Sequence, residues 1–263
     1  MWEEVRKYYS RGENRDHQHD MYDSGDVAYR WWQNARKNTI RGLIRQQGDH
    51  TSILDVGCAE GTYLTFASNY SCKVGCDLSI SKLRRGRHRE ADDSSDYVSA
   101  DGSHLPFREG AFTIVICIDT IRYIPYPTTC LEELFRVANN SVIVQTMTDF
   151  LRLSSFPVKR PLSKIKKEMN SKEFSGAFWI FSPRSVEYMA ELAKTHGFKI
   201  KMTVGLLPLA NILRLLKIGE NNFRKLAPLI EKIQFRFGKK FPFRLFSIFV
   251  TSEFSVHDDV NHN

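Results

Sequence analysis

The chain has 263 residues, of which 42% are hydrophobic, and its net charge is +8. This length and composition suit one α/β domain with insertions, or one domain with a small cap. No apolar run reaches about 18 residues, so we expect no membrane-spanning helix, and the charged start of the chain lacks the apolar stretch of a signal peptide. The charge is uneven, since residues 151–250 carry +14 and the remainder −6. This predicts an anionic partner for the C-terminal part.

The cysteines indicate a reducing compartment. Five are present, none in a Cys-x-x-Cys pair, and one lies within an apolar predicted strand. We therefore expect reduced, mostly buried thiols and a cytoplasmic protein. The five are Cys58, Cys72, Cys76, Cys117 and Cys130.

The first 50 residues are polar and rich in aromatic side chains. Apolar residues recur at helical spacing from about residue 27 to residue 44, which predicts a helix there. Residues 16–20 read Asp-His-Gln-His-Asp and have the residue types of a metal site. Because two histidines on a polar segment are more often a solvated loop, we predict no metal.

Residues 53–64 organise the chain. They read Ile-Leu-Asp-Val-Gly-Cys-Ala-Glu-Gly-Thr-Tyr-Leu, which predicts a buried strand, a glycine turn and the start of a helix. Gly57 and Gly61 are expected where the backbone approaches a ligand too closely for a Cβ atom. The carboxylates of Asp55 and Glu60 would repel a pyrophosphate and would suit a ligand with an ammonium and a sulfonium group. The turn is predicted to bind such a cofactor, with a nucleotide as the alternative.

Two further acids end the next two predicted strands. Asp77 follows Asp55 by one strand-turn-helix-strand unit, which places both at the carboxyl ends of neighbouring parallel strands. An acid there can accept both hydroxyls of a ribose, or it can cap the helix that opens at Ser79. The two roles are compatible. The third predicted strand ends at Asp101.

The pattern aspartate-x-glycine-x-x-x-glycine after a strand resembles motif I of the class I S-adenosylmethionine (SAM)-dependent methyltransferases, with Ala59 where motif I often has glycine. The resemblance covers about residues 53–251. It implies an α/β, Rossmann-like fold with a seven-stranded sheet in the order 3-2-1-4-5-7-6, an antiparallel strand seven and helices on both faces. It also implies SAM as the cofactor. The cofactor-binding positions that it implies are Asp55, Gly57, Cys58, Gly61, Asp77, Leu78, Asp101 and Gly102.

The resemblance implies more specific roles as well. Asp101 would accept the amino group of adenine, and Gly102 would let the ring approach the main chain. Residues 101–115 resemble the small-molecule branch of the family that includes the quinone methylases. The aromatic-rich N-terminal helix would then be a lid over the cofactor. Packing on the edge of the sheet is the alternative for that helix.

The fourth predicted strand, residues 113–118, is followed by Asp119. Ligands of open α/β sheets bind at the carboxyl ends of strands beside the switch point, here between strands one and four. Asp119 is therefore a candidate base for a hydroxyl acceptor, and Tyr123 a candidate to orient the acceptor oxygen. Arg122 could pair with an acidic acceptor or with Asp119. The alternative is that Asp119 caps the next turn and Tyr123 only packs against its surroundings.

The remaining segments predict further alternation of helices and strands, interrupted by two insertions that mix apolar residues with cations. We expect these insertions, at about 149–176 and 206–243, to form a helical, basic cap over the strand ends. The remaining predicted elements are a helix at 128–138, a strand at 141–145, a helix from Ser182 and Pro183 to about Thr195, and strands at 198–204 and 246–251. The predicted domains are an N-terminal helical lid (1–50), a methyltransferase domain with the cap insertions (51–251) and a polar tail (252–263).

Three functions remain open at this point. The first is a methyltransferase for a small-molecule or lipid-linked acceptor, cytoplasmic and peripheral at an anionic membrane that the cap contacts. The second is an RNA methyltransferase whose cap binds phosphates. The third is a SAM-binding module without turnover. The end of strand four lacks the Asn/Asp-Pro-Pro-Tyr and Pro-Cys motifs, which argues against base methylation by those two routes.

Overall fold

The computed structural model describes residues 27–47, 52–89, 94–147, 183–206 and 247–254, together with residues 222, 225, 226 and 229. None of the helices within these residues combines the length and the apolar character needed to cross a membrane. The strands are β1 (Ser52–Val56), β2 (Cys72–Asp77), β3 (Ser95–Ser99), β4 (Phe112–Ile118), β5 (Ala138–Met147), β6 (Phe198–Leu206) and β7 (Ser247–Phe254). The α-helices are α1 (Val27–Arg45), α2 (Ile80–Arg89), α3 (Pro127–Val137) and α4 (Pro183–Thr195).

All seven strands form one sheet in the order β3-β2-β1-β4-β5-β7-β6. The pairs from β3 to β5 are parallel, whereas β7 runs antiparallel to both β5 and β6. β1 and β4 lie in the middle and are almost continuously apolar, as expected for strands covered on both faces. The predicted α/β, Rossmann-like fold is confirmed.

Alternate residues of the central strands pack on opposite faces of the sheet. Leu54 and Val115 belong to a cluster that also contains buried residues of α3 and α4. Ile53 and Ile114 belong to a second cluster, which the apolar stripe of α1 completes. The N-terminal helix therefore packs on a face of the sheet. The stripe of α1 consists of Ile40, Leu43 and Ile44.

α3 fixes the loop that follows Asp101. Glu133 accepts a hydrogen bond from the Leu105 amide at 2.7 Å, and Arg136 donates to the Phe107 carbonyl at 2.8 Å. Burial alone would raise the pKa of Glu133, but the bonds from Arg136 and from the Leu105 amide outweigh it and lower that pKa. The loop is thus held to the helix by charge-assisted bonds.

Two predicted boundaries are wrong. After the glycine turn the chain forms only a 3-10 turn, Leu64–Phe66, and five amides there bond the carbonyl three residues before them, those of Gly61, Leu64, Phe66, Ala67 and Tyr70. Only a short segment separates the turn from β2, and within it the Thr65 hydroxyl bonds the Thr62 carbonyl, a local bond that competes with helix formation. In the last predicted strand, residues 246–251, the boundary also differs, because β7 continues to Phe254, three residues beyond the predicted end.

The predicted cap lies outside the described residues, apart from Leu206 and the helical residues 222, 225, 226 and 229. The same holds for the segment at 16–20 and for Ser182. The division into lid, domain and tail stays a prediction.

Candidate cofactor and acceptor site

Three acids lie at one edge of the sheet, as the sequence predicts. Asp55 pairs with Gly75, one residue before the end of the pairing between β1 and β2. Asp77 ends β2, and Asp101 follows β3. Because these strands are parallel, their carboxyl ends share one edge. We call this group, together with the turn 57–61, the cofactor side. The turn itself is called the cofactor turn.

Asp55 is buried without a partner. Its exposed fraction is 1%, and neither carboxylate oxygen has a hydrogen-bond partner among the described residues. Burial, reinforced by the nearby charge of Asp77, raises the pKa of Asp55 well above its ordinary value. A buried carboxyl group without a partner is unfavourable unless a ligand satisfies it. A cationic ligand such as SAM therefore fits this position.

Asp77 links the cofactor turn to α2. One carboxylate oxygen accepts a hydrogen bond from the Ala59 amide at 2.9 Å, and the other accepts from the Ser79 amide at 2.8 Å. The predicted capping role is thus present, since the bond to Ser79 lies directly before the first residue of α2. Each oxygen keeps a lone pair for a further bond. Leu78, beside it, is half-buried.

Asp101 closes a turn after β3. It accepts a hydrogen bond from the Ser103 amide at 2.8 Å, and its other oxygen lies 3.9 Å from Nδ1 of His104. A Cβ atom on Gly102 would lie 3.1 Å from both the Ile124 and the Val56 side chains. A side chain at residue 102 would therefore need these two neighbours to shift, whatever Gly102 contributes to a cofactor.

The two glycines of the cofactor turn are also required by protein neighbours. Gly57 has φ +76° and Gly61 has φ +78°, in the left-handed region that favours glycine. A Cβ on Gly57 would overlap the side chain of Thr120, and a Cβ on Gly61 would overlap the hydroxyl of Tyr97. Close approach of a ligand is thus not needed to explain either glycine. Ala59 has φ +52° and is strained in the same region.

The side chain of Cys58 is not available to a ligand. Its side chain is buried, and its sulfur would lie 2.7 Å from a Cβ on Gly75. The amides of Gly57 and Cys58 both donate to the Cys76 carbonyl, at 2.7 and 3.0 Å. Burial raises the pKa of the Cys58 thiol well above its ordinary value, with further contributions from Asp55 and Asp77. The thiol is therefore neutral and unreactive.

The carboxylate of Glu60 pairs with an arginine inside the protein. Glu60 is buried, and its Oε1 lies 2.8 Å from Nε of Arg85 on α2. This acid is neutralised inside the protein. The preference of the turn for a cation therefore depends on Asp55, and the part of the charge argument that used Glu60 was wrong.

The end of β4 carries a cluster that we call the acceptor side. Asp119 has φ +55°, and its amide donates to the Gln145 carbonyl at 2.9 Å. One oxygen of Asp119 lies 3.2 Å from Nη1 of Arg36 on α1, and the other lies 3.0 Å from Nε of Arg122. The contact between Asp119 and Arg122 is an ion pair, but its geometry is not that of a hydrogen bond. Both carboxylate oxygens are therefore engaged by guanidinium groups.

Two tyrosines complete the acceptor side. Arg36 donates to the Tyr63 hydroxyl at 3.3 Å, and Arg122 donates to the Tyr123 hydroxyl and lies 4.5 Å above its ring. Burial raises the pKa of Tyr123, although Arg122 acts in the opposite direction. The phenol of Tyr123 is thus protonated at neutral pH. Sequence reasoning missed Arg36 and Tyr63, because no local pattern connects residue 36 with residue 119.

The central region of the chain matches a known family model. Residues 54–144 match the model described as a methyltransferase domain. This region runs from β1 into β5 and contains both the cofactor turn and Asp119. This match supports a class I SAM-dependent methyltransferase domain in that region.

Curated relatives and solved structures extend this finding. The chain is 34% identical over 104 residues to demethylmenaquinone methyltransferase of Clavibacter sepedonicus, which covers 39% of this chain and 42% of that protein. It is 28% identical over 109 residues to probable tRNA methyltransferase 9B of Bos taurus, which covers 41% of this chain and 23% of that protein. The chain thus spans less than half the length of both relatives.

Among solved structures, magnesium protoporphyrin IX methyltransferase of Synechocystis PCC 6803 with bound SAH is similar at a TM-score of 0.57. The identity is 15%, and the match covers 97% of this chain and 100% of the other. At that identity the likeness concerns the fold. The comparisons support the predicted family, the predicted cofactor and the predicted class of enzyme, a SAM-dependent methyltransferase.

Proposed function

We propose that the protein transfers a methyl group from SAM to a small-molecule or lipid-linked acceptor. The observation that carries the proposal is the match of residues 54–144 to the methyltransferase domain model, because that region contains the buried, unpartnered Asp55. The relative from Clavibacter sepedonicus, named for demethylmenaquinone, supports the acceptor class.

The cofactor side would hold SAM in the following way. Asp55 would favour the cationic part, Asp77 would accept the ribose hydroxyls with its remaining lone pairs, and Asp101 would accept the adenine amino group. Bound SAM supplies a methyl group on a positively charged sulfur. Around it the proposed contacts also include the backbone of Gly57, Cys58 and Gly61, the side chain of Leu78, and Gly102 beneath the adenine.

The acceptor side would orient the acceptor. Methyl transfer from a sulfonium is an in-line displacement, for which orientation supplies much of the acceleration. Tyr123 is the candidate to orient an acceptor oxygen. The Asp119 oxygens keep lone pairs that could take a proton, but the side-chain contacts that they make are to the guanidinium groups of Arg36 and Arg122, which fix the position of the carboxylate. We therefore favour a positioning role for Asp119 over proton transfer.

An Asp119→Asn variant separates these two roles. Loss of a general base lowers the rate by roughly 10²–10⁴-fold, whereas a positioning residue loses its effect through stability and acceptor affinity. The measurement is the rate of methyl transfer as a function of pH, with Tyr123→Phe beside it. A fall of 10²-fold or more at every pH, with unchanged stability, would restore Asp119 as the base.

RNA is the second candidate acceptor. The relative from Bos taurus is named as a probable tRNA methyltransferase, and the +14 charge of residues 151–250 suits phosphates. The same charge also suits an anionic membrane. For the favoured acceptor class we place the protein in the cytoplasm and at such a membrane, which agrees with five free cysteines.

The first experiment tests the cofactor. SAM at about 100 times its dissociation constant should stabilise the fold by about 2.7 kcal/mol, as measured by thermal denaturation, and Asp77→Ala should remove most of that shift. NAD is the control ligand. Stabilisation by NAD but not by SAM would overturn the proposal.

The second experiment identifies the acceptor class. The protein is incubated with methyl-labelled SAM and either total lipid extract or total RNA, and the labelled product is located by mass spectrometry. Label in a lipid or small molecule supports the proposal. Label in RNA selects the second candidate, and SAM binding without any transfer would select the binding module without turnover.

A further inference from the structure

Tyr97 fills a space that three glycines on three different elements leave open. A Cβ on Gly61 of the cofactor turn would overlap the Tyr97 hydroxyl, and it would lie 3.0 Å from Cε1 of the ring. A Cβ on Gly75 in β2 would lie 3.0 Å from Cδ1, and one on Gly86 in α2 would lie 3.1 Å from Cζ. The ring of Tyr97 therefore packs between β2, α2 and the cofactor turn.

The cofactor turn depends on such support. Three of its residues, Gly57, Ala59 and Gly61, have positive φ angles, and the alanine loses about 1–2 kcal/mol in that conformation. The turn is not extended by a regular helix, because only the 3-10 turn Leu64–Phe66 follows it. Its geometry therefore depends on contacts with the rest of the chain, which include the bonds from the Gly57 and Cys58 amides to the Cys76 carbonyl and the side chains that pack against the turn.

The second support is the ion pair between Glu60 and Arg85. The Glu60 side chain is 1% exposed, and the Nε of Arg85 lies 2.8 Å from its carboxylate. A buried carboxylate is strongly unfavourable without such a partner. Gly86 completes the contact, because a Cβ there would lie 2.8 Å from the Glu60 carbonyl. The turn is thus fixed to α2 through the side chain and the backbone of Glu60.

We infer that Tyr97 and Arg85 are positioning residues for SAM binding, which act by fixing the cofactor turn and not by touching SAM. The inference rests on the proposed function, because it assumes that SAM binds beside Asp55 and Asp77. Tyr97 and Arg85 contact the turn on the side where β2 and α2 lie. Asp77 contacts the turn from the carboxyl end of β2, through its bond to the Ala59 amide.

The test compares SAM affinity in matched variants. Tyr97→Leu removes the ring, and Arg85→Gln removes the ion pair. Both should raise the dissociation constant of SAM at least about tenfold, as second-shell changes do in metal sites, measured by titration calorimetry below the melting temperature. The controls are Asp96→Asn and Arg84→Gln, exposed neighbours on the same strand and helix, which should stay within about twofold of wild type. Arg85→Lys keeps the charge and should recover part of the loss.

A second readout separates positioning from general loss of stability. Amide hydrogen exchange within residues 57–61 should become faster in Tyr97→Leu and Arg85→Gln without cofactor, while exchange in β4 stays slow. If both variants bind SAM within twofold of wild type, the inference is wrong and the proposed function stands. If Tyr97→Leu does not fold, Arg85→Gln still decides. If the wild-type protein binds no SAM, the proposed function itself fails.

Discussion

The cofactor side and the acceptor side differ in the distance along the chain that their contacts span. On the cofactor side, Asp77 bonds amides 2 and 18 residues away, and Asp101 bonds one 2 residues away. On the acceptor side, Arg36 and Asp119 are 83 residues apart. Short-range contacts leave a readable pattern of residue types and spacings. A long-range ion pair leaves none, so Asp119, Arg122 and Tyr123 could be predicted from their place after strand four, and the pair of Asp119 with Arg122 is present, whereas Arg36 could not be predicted.

The cofactor side and the acceptor side meet at Gly57 and Thr120, so one substitution there should disturb the contact between them. Gly57→Ala should destabilise the fold by about 2–5 kcal/mol, since overpacking costs about 1–3 and the left-handed conformation costs an alanine about 1–2. A Cβ at residue 57 would lie 2.6 Å from Cβ of Thr120. The measurement is urea denaturation of the protein without cofactor.

Gly42→Ala is the matched control for that experiment. Residue 42 lies within α1, and a Cβ there meets nothing within 4 Å, so this variant should gain about 0.5–1 kcal/mol. In the double variant Gly57→Ala/Thr120→Gly, the loss of stability caused by overpacking should disappear, and the loss caused by the left-handed backbone should remain. Equal stability of Gly57→Ala and wild type would show that the two sides do not touch as described.

Breaking the ion pair between Arg36 and Asp119 tests the acceptor side alone. Arg36→Ala should destabilise the fold by roughly 2–3 kcal/mol, somewhat less than the ~3–5 for a fully buried pair, because the Asp119 side chain is 22% exposed. Together with Asp119→Ala it makes a double-mutant cycle, in which a coupling energy of about 1–3 kcal/mol is expected. Arg45→Ala, exposed at the end of the same helix, should change stability by less than about 0.5 kcal/mol. Additive losses would mean that the pair does not join α1 to β4.

The same distinction explains how much the sequence predicts elsewhere. The positions of the acids near the strand ends, the central strands and α4 are confirmed, because apolar runs and turn residues are local signals. The prediction of a helix after the cofactor turn was wrong. The spacing of Tyr63, Leu64 and Phe66 suits a helix, but it does not show how few residues remain before β2. The glycines of the turn were predicted at the right positions for an incomplete reason. Their neighbours, Thr120 and Tyr97, lie 63 and 36 residues further along the chain.

Asp55 should make the stability of the protein depend on pH. Because burial and Asp77 raise its pKa in the folded protein, the unfolded chain releases this proton at about pH 4 while the folded protein retains it. Stability therefore falls as the pH rises from about 4 towards the folded pKa. Asp55→Asn removes this term and should make the protein without cofactor more stable at neutral pH, with a flatter pH profile, while SAM binding weakens.

Denaturation at several pH values checks this expectation, and SAM titration at neutral pH checks the accompanying loss. Asp96→Asn, which changes an exposed carboxylate on β3, is the control and should leave both unchanged. An unchanged pH slope in Asp55→Asn would mean that Asp55 is not the buried acid responsible. A variant that gains stability and loses SAM affinity would show stability given up for cofactor binding.

The smallest effect is expected at Ala59, where the cofactor side departs from the motif that it resembles. Because Ala59 has φ +52°, glycine there should relieve strain, and Ala59→Gly should gain about 1 kcal/mol even though glycine loses more entropy on folding. The bond from the residue 59 amide to Asp77 is retained, so SAM affinity should not fall. Ala35→Gly, within α1, is the matched control and should lose about 1 kcal/mol or more. If Ala59→Gly were destabilising as well, the left-handed conformation of the turn would be wrong, and with it the need for the support that Tyr97 and Arg85 provide.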